Sequence, residues 1–177
     1  SVPVRSVADL IAHAKANPGK VFLAYESASA KAVATYMKAA LDMPLELVAY
    51  NSPLNAIQDT LGGSVQLHIQ GTAIGLAYTQ DGRLRPLAII SAERLSHIPD
   101  VPTLAELFPG FGAFDAWIAL VAPAGSPPDA LKRMAAELHV VGSQPEVKAI
   151  FGKLGFFEES DRSPERTAAY IRSQSEQ

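Results

Sequence analysis

An α/β fold with a mostly parallel sheet is what this sequence predicts, on three grounds. Strand-like and helix-like stretches alternate along the chain. The changes of hydrophobic period are punctuated by Gly, Pro or a small capping residue. At 177 residues, 48% of them apolar and 19% charged, the chain can bury a real core as one ordinary domain or two small lobes.

The elements follow in order. Ser6 precedes Val7-Ala8-Asp9, an N-cap with an acid three residues on, and Leu10, Ile11 and Ala14 then fall at helical spacing until Asn17-Pro18-Gly19 stops the helix. Residues 21–25 read as a buried strand. A helix over 31–41 follows, with Val33, Tyr36, Met37 and Ala40 on one face, and 45–50 is the next strand. Ser52-Pro53 opens a helix with Pro at its first position, where the missing N–H costs nothing. Leu54, Ile57 and Leu61 form its apolar face and Gly62-Gly63 ends it.

Val65, Leu67 and Ile69 alternate with Gln66 and His68, the pattern of a strand with unequal faces. A helix over 71–79 and an Asp81-Gly82 turn lead to a strand at 86–90. Thr103 and Glu106 have capping-box spacing, and 115–122 reads as another strand. Three helices close the chain at 128–141, 145–153 and 164–175, each opened by Ser or Gln with Pro.

Composition removes several functions. The net charge is −3 with Lys and Arg scattered, which argues against a nucleic-acid surface, where clustered cations displace counterions. The absence of cysteine excludes disulfides, thiolate metal sites and Cys nucleophiles. No apolar run approaches the roughly 20 residues needed to cross a bilayer. Ser1-Val2-Pro3-Val4-Arg5 lacks the apolar core of a signal peptide, so none is expected within this sequence.

Candidate catalysts are weak. His68 has no partner at metal-ligand spacing and reads as a histidine on the less buried strand face. His13, His97 and His139 are isolated, each read as solvated, and the acidic cluster Glu158-Glu159 with Asp161 reads the same way. Ser27 and Ser29 lack a Gly-x-Ser-x-Gly elbow and a neighbouring base, so a hydrolase is disfavoured. Gly62-Gly63 is no phosphate cradle, because no Lys-Ser or Lys-Thr follows it. No metal or cofactor is expected.

The stronger candidates are helix N-termini directly after strands. There, free N–H groups and the helix dipole favour anions outside the carboxyl ends of a parallel sheet. The positions are 26–31 after the first strand, Asn51-Ser52 after the second and Gln70-Gly71-Thr72 after the third. Ordinary capping is the alternative at each.

A succession of motifs carries a resemblance to a known family. Asn17-Pro18-Gly19-Lys20, Tyr50-Asn51-Ser52-Pro53-Leu54-Asn55-Ala56, Leu61-Gly62-Gly63-Ser64-Val65-Gln66 and Gly82-Arg83-Leu84-Arg85-Pro86-Leu87-Ala88 occur in order. The most specific stretches run from Pro99 to Glu106 and from Trp117 to Pro127, and Leu154-Gly155 precedes the final helix. Over 7–171 the chain resembles the extracytoplasmic solute receptors of tripartite tricarboxylate transport, the Bug-type receptors.

The resemblance implies a lobe of the type II periplasmic-binding-protein kind. Residues 1–118 would be the ligand-binding lobe, and 119–177 a hinge strand with C-terminal helices of an incomplete other lobe. Family members carry a longer stretch before the point matching Ser1, so the chain looks truncated against them. The implied function is capture, without catalysis, of a small carboxylate-type solute in the periplasm for membrane transporter subunits. The alternative is a scaffold or interaction protein of the same fold without a ligand; a small enzyme using Ser29 or Lys31 is the remaining rival. The implied ligand contacts are Ser27, Ala28, Ser29, Lys31, Tyr50, Asn51, Ser52, Gln70, Gly71 and Thr72.

The binding loop departs from the family form S-S-G-x-G-S-x-x-H. Tyr25-Glu26-Ser27-Ala28-Ser29-Ala30-Lys31 is shorter, has no Gly, puts Lys31 at the place of the His, and introduces Glu26, whose charge would repel an anion. The helices after 127 keep apolar faces through Leu131, Met134, Leu138, Val147, Ile150, Phe151 and Leu154. Those faces are expected to fold back on the remaining lobe or to pair with a second copy.

Overall fold

Ser6 opens the first helix as its position suggests: its Oγ accepts the Asp9 N–H at 3.1 Å and starts α1 (Val7–Ala16). The computed structural model describes residues 2–91, 93–95, 97–111, 119–153 and 163–175. After α1 come β1 (Phe22–Tyr25), α2 (Ala28–Ala40), β2 (Glu46–Ala49), α3 (Pro53–Gly62), β3 (Leu67–His68) and α4 (Thr72–Gln80). A short α5 (Leu104–Leu107) follows, then α6 (Pro128–Gly142), α7 (Pro145–Lys153) and α8 (Pro164–Ser175). The chain divides into two compact units, Ser1–Asp115 and Ala116–Gln177.

In the first unit the strands form one parallel sheet in the order β2-β1-β3. Leu23 is level with Leu47 on one side and Leu67 on the other, and Ala24 with Val48 and His68. Alternation then sorts the faces. Leu23, Leu47 and Leu67 join Val7, Leu10 and Ala14 of α1, Val33, Ala34 and Met37 of α2, and Leu104 of α5. On the opposite face Ala24 packs with Ala56 of α3, Val65, Phe22, Val48 and Tyr50. Helices thus cover both faces, the arrangement that a parallel sheet requires. Leu23, Met43, Leu45, Ile57 and Leu104 are fully buried; each contributes about 1.5–3 kcal/mol of hydrophobic stabilisation.

The stretch from 89 to 106 is held by short-range polar bonds. The Thr103 hydroxyl accepts the Glu106 N–H at 3.1 Å while a Glu106 carboxylate oxygen accepts the Thr103 N–H at 3.4 Å, completing the capping box. Arg94 Nε donates to both Glu106 oxygens at 2.9 Å, and its Nη1 donates to the Pro99 carbonyl at 2.9 Å. The Arg94 guanidinium, helped by the Thr103 N–H, holds the Glu106 carboxyl below its usual range.

Three expectations change. The strand at 86–90 reduces to a single parallel bridge between Ile89 and Thr103, because Ile89 N–H and C=O bond to Pro102 and Leu104 and not to the sheet. Of the strand at 115–122, residues 115–118, with Trp117, lie outside the described residues, and 119–122 carry no strand. His97, read as solvated, has its Nε2 closed to solvent, while the His68 side chain, on the strand face it shares with Ala24, is 3% exposed. Leu154-Gly155 and the acidic cluster at 158–161 also lie outside the described residues.

Within the second unit, α6 begins at Pro128 behind Pro127, and Ser163 Oγ accepts the Arg166 N–H at 3.2 Å at the start of α8. Leu131, Met134 and Leu138 lie on one side of α6 and are exposed, as are Ile150 and Phe151 of α7.

Candidate functional site

Parallel strands deliver their carboxyl ends to one edge. The Tyr50 N–H bonds to the Tyr25 carbonyl at 2.9 Å and the Ile69 N–H to the Ala24 carbonyl at 3.2 Å, so 26–31, 50–52 and 70–72 emerge side by side. The order β2-β1-β3 adds a preference among them. From β1 the chain moves to β2 through α2, then returns past β1 to β3 through α3, which covers the other face. The reversal point lies between β1 and β3, where open parallel sheets place their ligands. The corners after β1 and β3 flank it, and Asn51-Ser52 stands one strand away.

The corners differ in what they leave open. At α2, Ser27 Oγ accepts the Ala30 N–H at 3.1 Å and lies 3.0 Å from Ser29 Oγ, so one amide of the first turn is already satisfied. The Ala28 and Ser29 amides remain, and Ser27, Ala28, Ser29 and Lys31 are all exposed. At α3, Ser52 makes no side-chain cap and Pro53 has no N–H to give. At α4, Gly71 has no side chain to cap with, and the amides of Thr72 and Ala73 point ahead of the first helical bond. Helix dipoles place partial positive charge at all three ends.

Tyr50 contributes less than its position suggests. Its hydroxyl donates to Asp59 Oδ2 at 2.7 Å, a bond that raises the phenol above its ordinary range and commits it to α3. Asn51 is exposed, and Ser52 and Thr72 are half-buried.

A pair that the sequence did not announce sits at the β1/β3 reversal point. His68 Nε2 and Glu26 Oε2 are 2.8 Å apart, with 3% and 15% of the two side chains exposed. Glu26 therefore faces inward to a hydrogen-bond partner and not out into the rim. Among the described residues, His68 Nδ1 and both amide atoms of Gln70 are shut off from solvent without a hydrogen-bond partner, as is His97 Nε2 in the stretch before α5.

An open depression of about 600 Å³ lies at the opposite end of the sheet, lined by Lys15, Thr35, Lys38 and Asp42. Its cations are taken: Lys15 pairs with Asp42 at 2.9 Å and Lys38 donates to the Leu45 carbonyl at 2.6 Å. Among the described residues no group of three or more His, Asp or Glu could hold a metal ion, and no helix is long and apolar enough to cross a membrane.

These features can be set beside known proteins. The family described as "Tripartite tricarboxylate transporter family receptor" matches residues 1–177. The protein BugT of Bordetella pertussis is 36% identical over 122 residues, covering 67% of this chain and 37% of BugT. A UPF0065 protein of Bordetella bronchiseptica is 29% identical over 173 residues, covering 97% of this chain and 50% of its own length. The chain thus spans half or less of the length of these two relatives.

Among solved structures, a periplasmic transporter is 26% identical with a TM-score of 0.88, covering 98% of this chain and 58% of that one. MatC from Rhodopseudomonas palustris, solved with bound malate, is 20% identical with a TM-score of 0.80, covering 97% and 60%. The latter likeness bears on fold alone. Relatives in this family are periplasmic solute-binding receptors and not enzymes. A lobe with helices on both faces of a parallel sheet, and a family match running its whole length, place this chain in the tripartite tricarboxylate transporter receptor family.

Proposed function

We propose that this chain captures a small carboxylate-type solute in the periplasm, for delivery to the membrane subunits of a tripartite tricarboxylate-type transporter. In this reading residues 1–118 form the ligand-binding lobe and 119–177 the return segment and its helices. The observation that carries it is the edge where β1 and β3 end: amides of Ala28, Ser29, Thr72 and Ala73 without helical acceptors, beside an exposed Lys31. Such an edge offers an acid hydrogen bonds, helix dipoles and a point charge, without a nucleophile–base pair to break a bond. Ser27, Ser29, Asn51, Ser52, Gln70, Gly71 and Thr72 supply the remaining polar or close-approach positions.

Isothermal titration of the full chain with a panel of dicarboxylates and amino acids tests this. At least one acid should give saturable heat, and Lys31→Ala should weaken that binding by about fivefold, the scale of one partly exposed charge contact. Heat from none of them would refute capture and leave a scaffold that has lost its ligand.

A further inference from the structure

We infer that His68 and Gln70 form an inner subsite for a hydroxyl group of the solute, so that the captured acid is a hydroxycarboxylate and not a plain one. The inference rests on the capture proposed above and goes on to name the class of acid. Its basis is a cluster of side-chain atoms with unused hydrogen-bonding capacity, placed where β1 and β3 end.

Glu26 fixes the chemistry of His68. A carboxylate oxygen only accepts, so the nitrogen 2.8 Å from it, Nε2, is the one that donates. In the neutral ring Nδ1 is then left as an acceptor, in a side chain 3% exposed, and no described residue gives it a proton. Gln70 brings one donor, Nε2, and one acceptor, Oε1, both unpartnered and both shut off from solvent. Leu67 and Ile69 both pack against the core that α1 and α2 cover, so alternation carries His68 and Gln70, two positions apart, to the other face, roughly 7 Å from one another along the chain.

A hydroxyl suits this pair, because it donates to His68 Nδ1 and accepts from Gln70 Nε2. A second carboxylate does not: it has no proton for Nδ1 and it would meet the charge of Glu26. Access would run through Gln70 itself: the residue as a whole is half-buried and its stem rests 3.6 Å from the position a Cβ would take on Gly75 of α4, so entry of the hydroxyl requires the amide to rotate toward the edge. The first turn of α4, with the free amides of Thr72 and Ala73, begins directly after Gln70 and Gly71, so the carboxylate and the hydroxyl of one small solute have adjacent places.

Malate and succinate differ by one hydroxyl and make the test. In titration calorimetry on the full chain, malate should bind at least about tenfold tighter than succinate, the scale of satisfying buried polar groups left open by the plain acid. Gln70→Met, which keeps length and removes both hydrogen-bonding atoms, should collapse the malate-to-succinate ratio toward one without lowering the melting temperature, since those atoms stabilise nothing in the free chain. His68→Phe should collapse the same ratio. Equal affinity for the two acids in the native chain would overturn the subsite, with ordered water as the occupant of the cluster, and leave capture standing. A native preference that survives Gln70→Met would also overturn it. Heat from no acid in the panel would overturn both readings together.

Discussion

The clasp of Arg94, Thr103 and Glu106 and the edge where β1 and β3 end belong to the same unit and treat polar groups in opposite ways. In the first, Arg94, Glu106, Thr103 and the Pro99 carbonyl satisfy one another within a few residues, and Leu104 anchors the whole to the core. At the second, an imidazole nitrogen and a carboxamide are buried without a partner among the described residues, and helix ends leave amides without helical acceptors. The segment that most strongly announces the family is thus a structural clasp. The segment that departs from the family's binding loop is the one with chemistry left to do.

The largest effect that would sharpen this contrast is at Leu104, which is 1% exposed. Leu104→Ala should cost about 2–5 kcal/mol of stability by leaving a cavity under α5. Denaturant unfolding gives that loss, and titration of the folded variant should show solute affinity unaltered. A loss of affinity at full folding would mean that the clasp and the edge are one functional unit.

A smaller effect concerns pH. The Glu106 carboxyl is held below its ordinary range, chiefly by Arg94, so it binds fewer protons in the folded chain than in the unfolded one. Its stabilising contribution is therefore present above the unfolded value of about 4.3 and is lost as the pH falls through the folded one. Glu106→Gln should be less stable than the parent at neutral pH, and the gap should narrow as the medium is acidified below about pH 4. Melting temperatures across that range decide it; a gap that stays constant or widens would show that the Arg94–Glu106 contact is not the source.

Much of the fold was legible because its signals are local. Ser6 with Asp9, Ser52 with Pro53, and Thr103 with Glu106 each announce a helix start within four residues, and the structure places helices at all three. The run 86–90 misled because an apolar stretch says nothing of its neighbour: Ile89 bonds to the loop before α5, and one ladder position is not a strand. Residues 26–31, 50–52 and 70–72 were legible as corners, since strand followed by helix puts them there. The Glu26–His68 contact was not. It joins residues 42 positions apart and exists only because Ala24 and His68 are level in the ladder, a register that alternation alone leaves open. With that contact made, Glu26 changes from an obstacle at the rim to the group that orients a buried imidazole.

In the proposed capture, the carboxyl edge of β1 and β3 receives the solute. Backbone amide resonances followed during titration with malate test it most directly, because every corner reports at once. The largest shifts should fall on Ala28, Ser29, Gly71, Thr72 and Ala73, with those of Asn51 and Leu54 smaller. Shifts concentrated instead on Lys15, Lys38 and Asp42 at the far end of the sheet, or absent throughout at saturating acid, would contradict it.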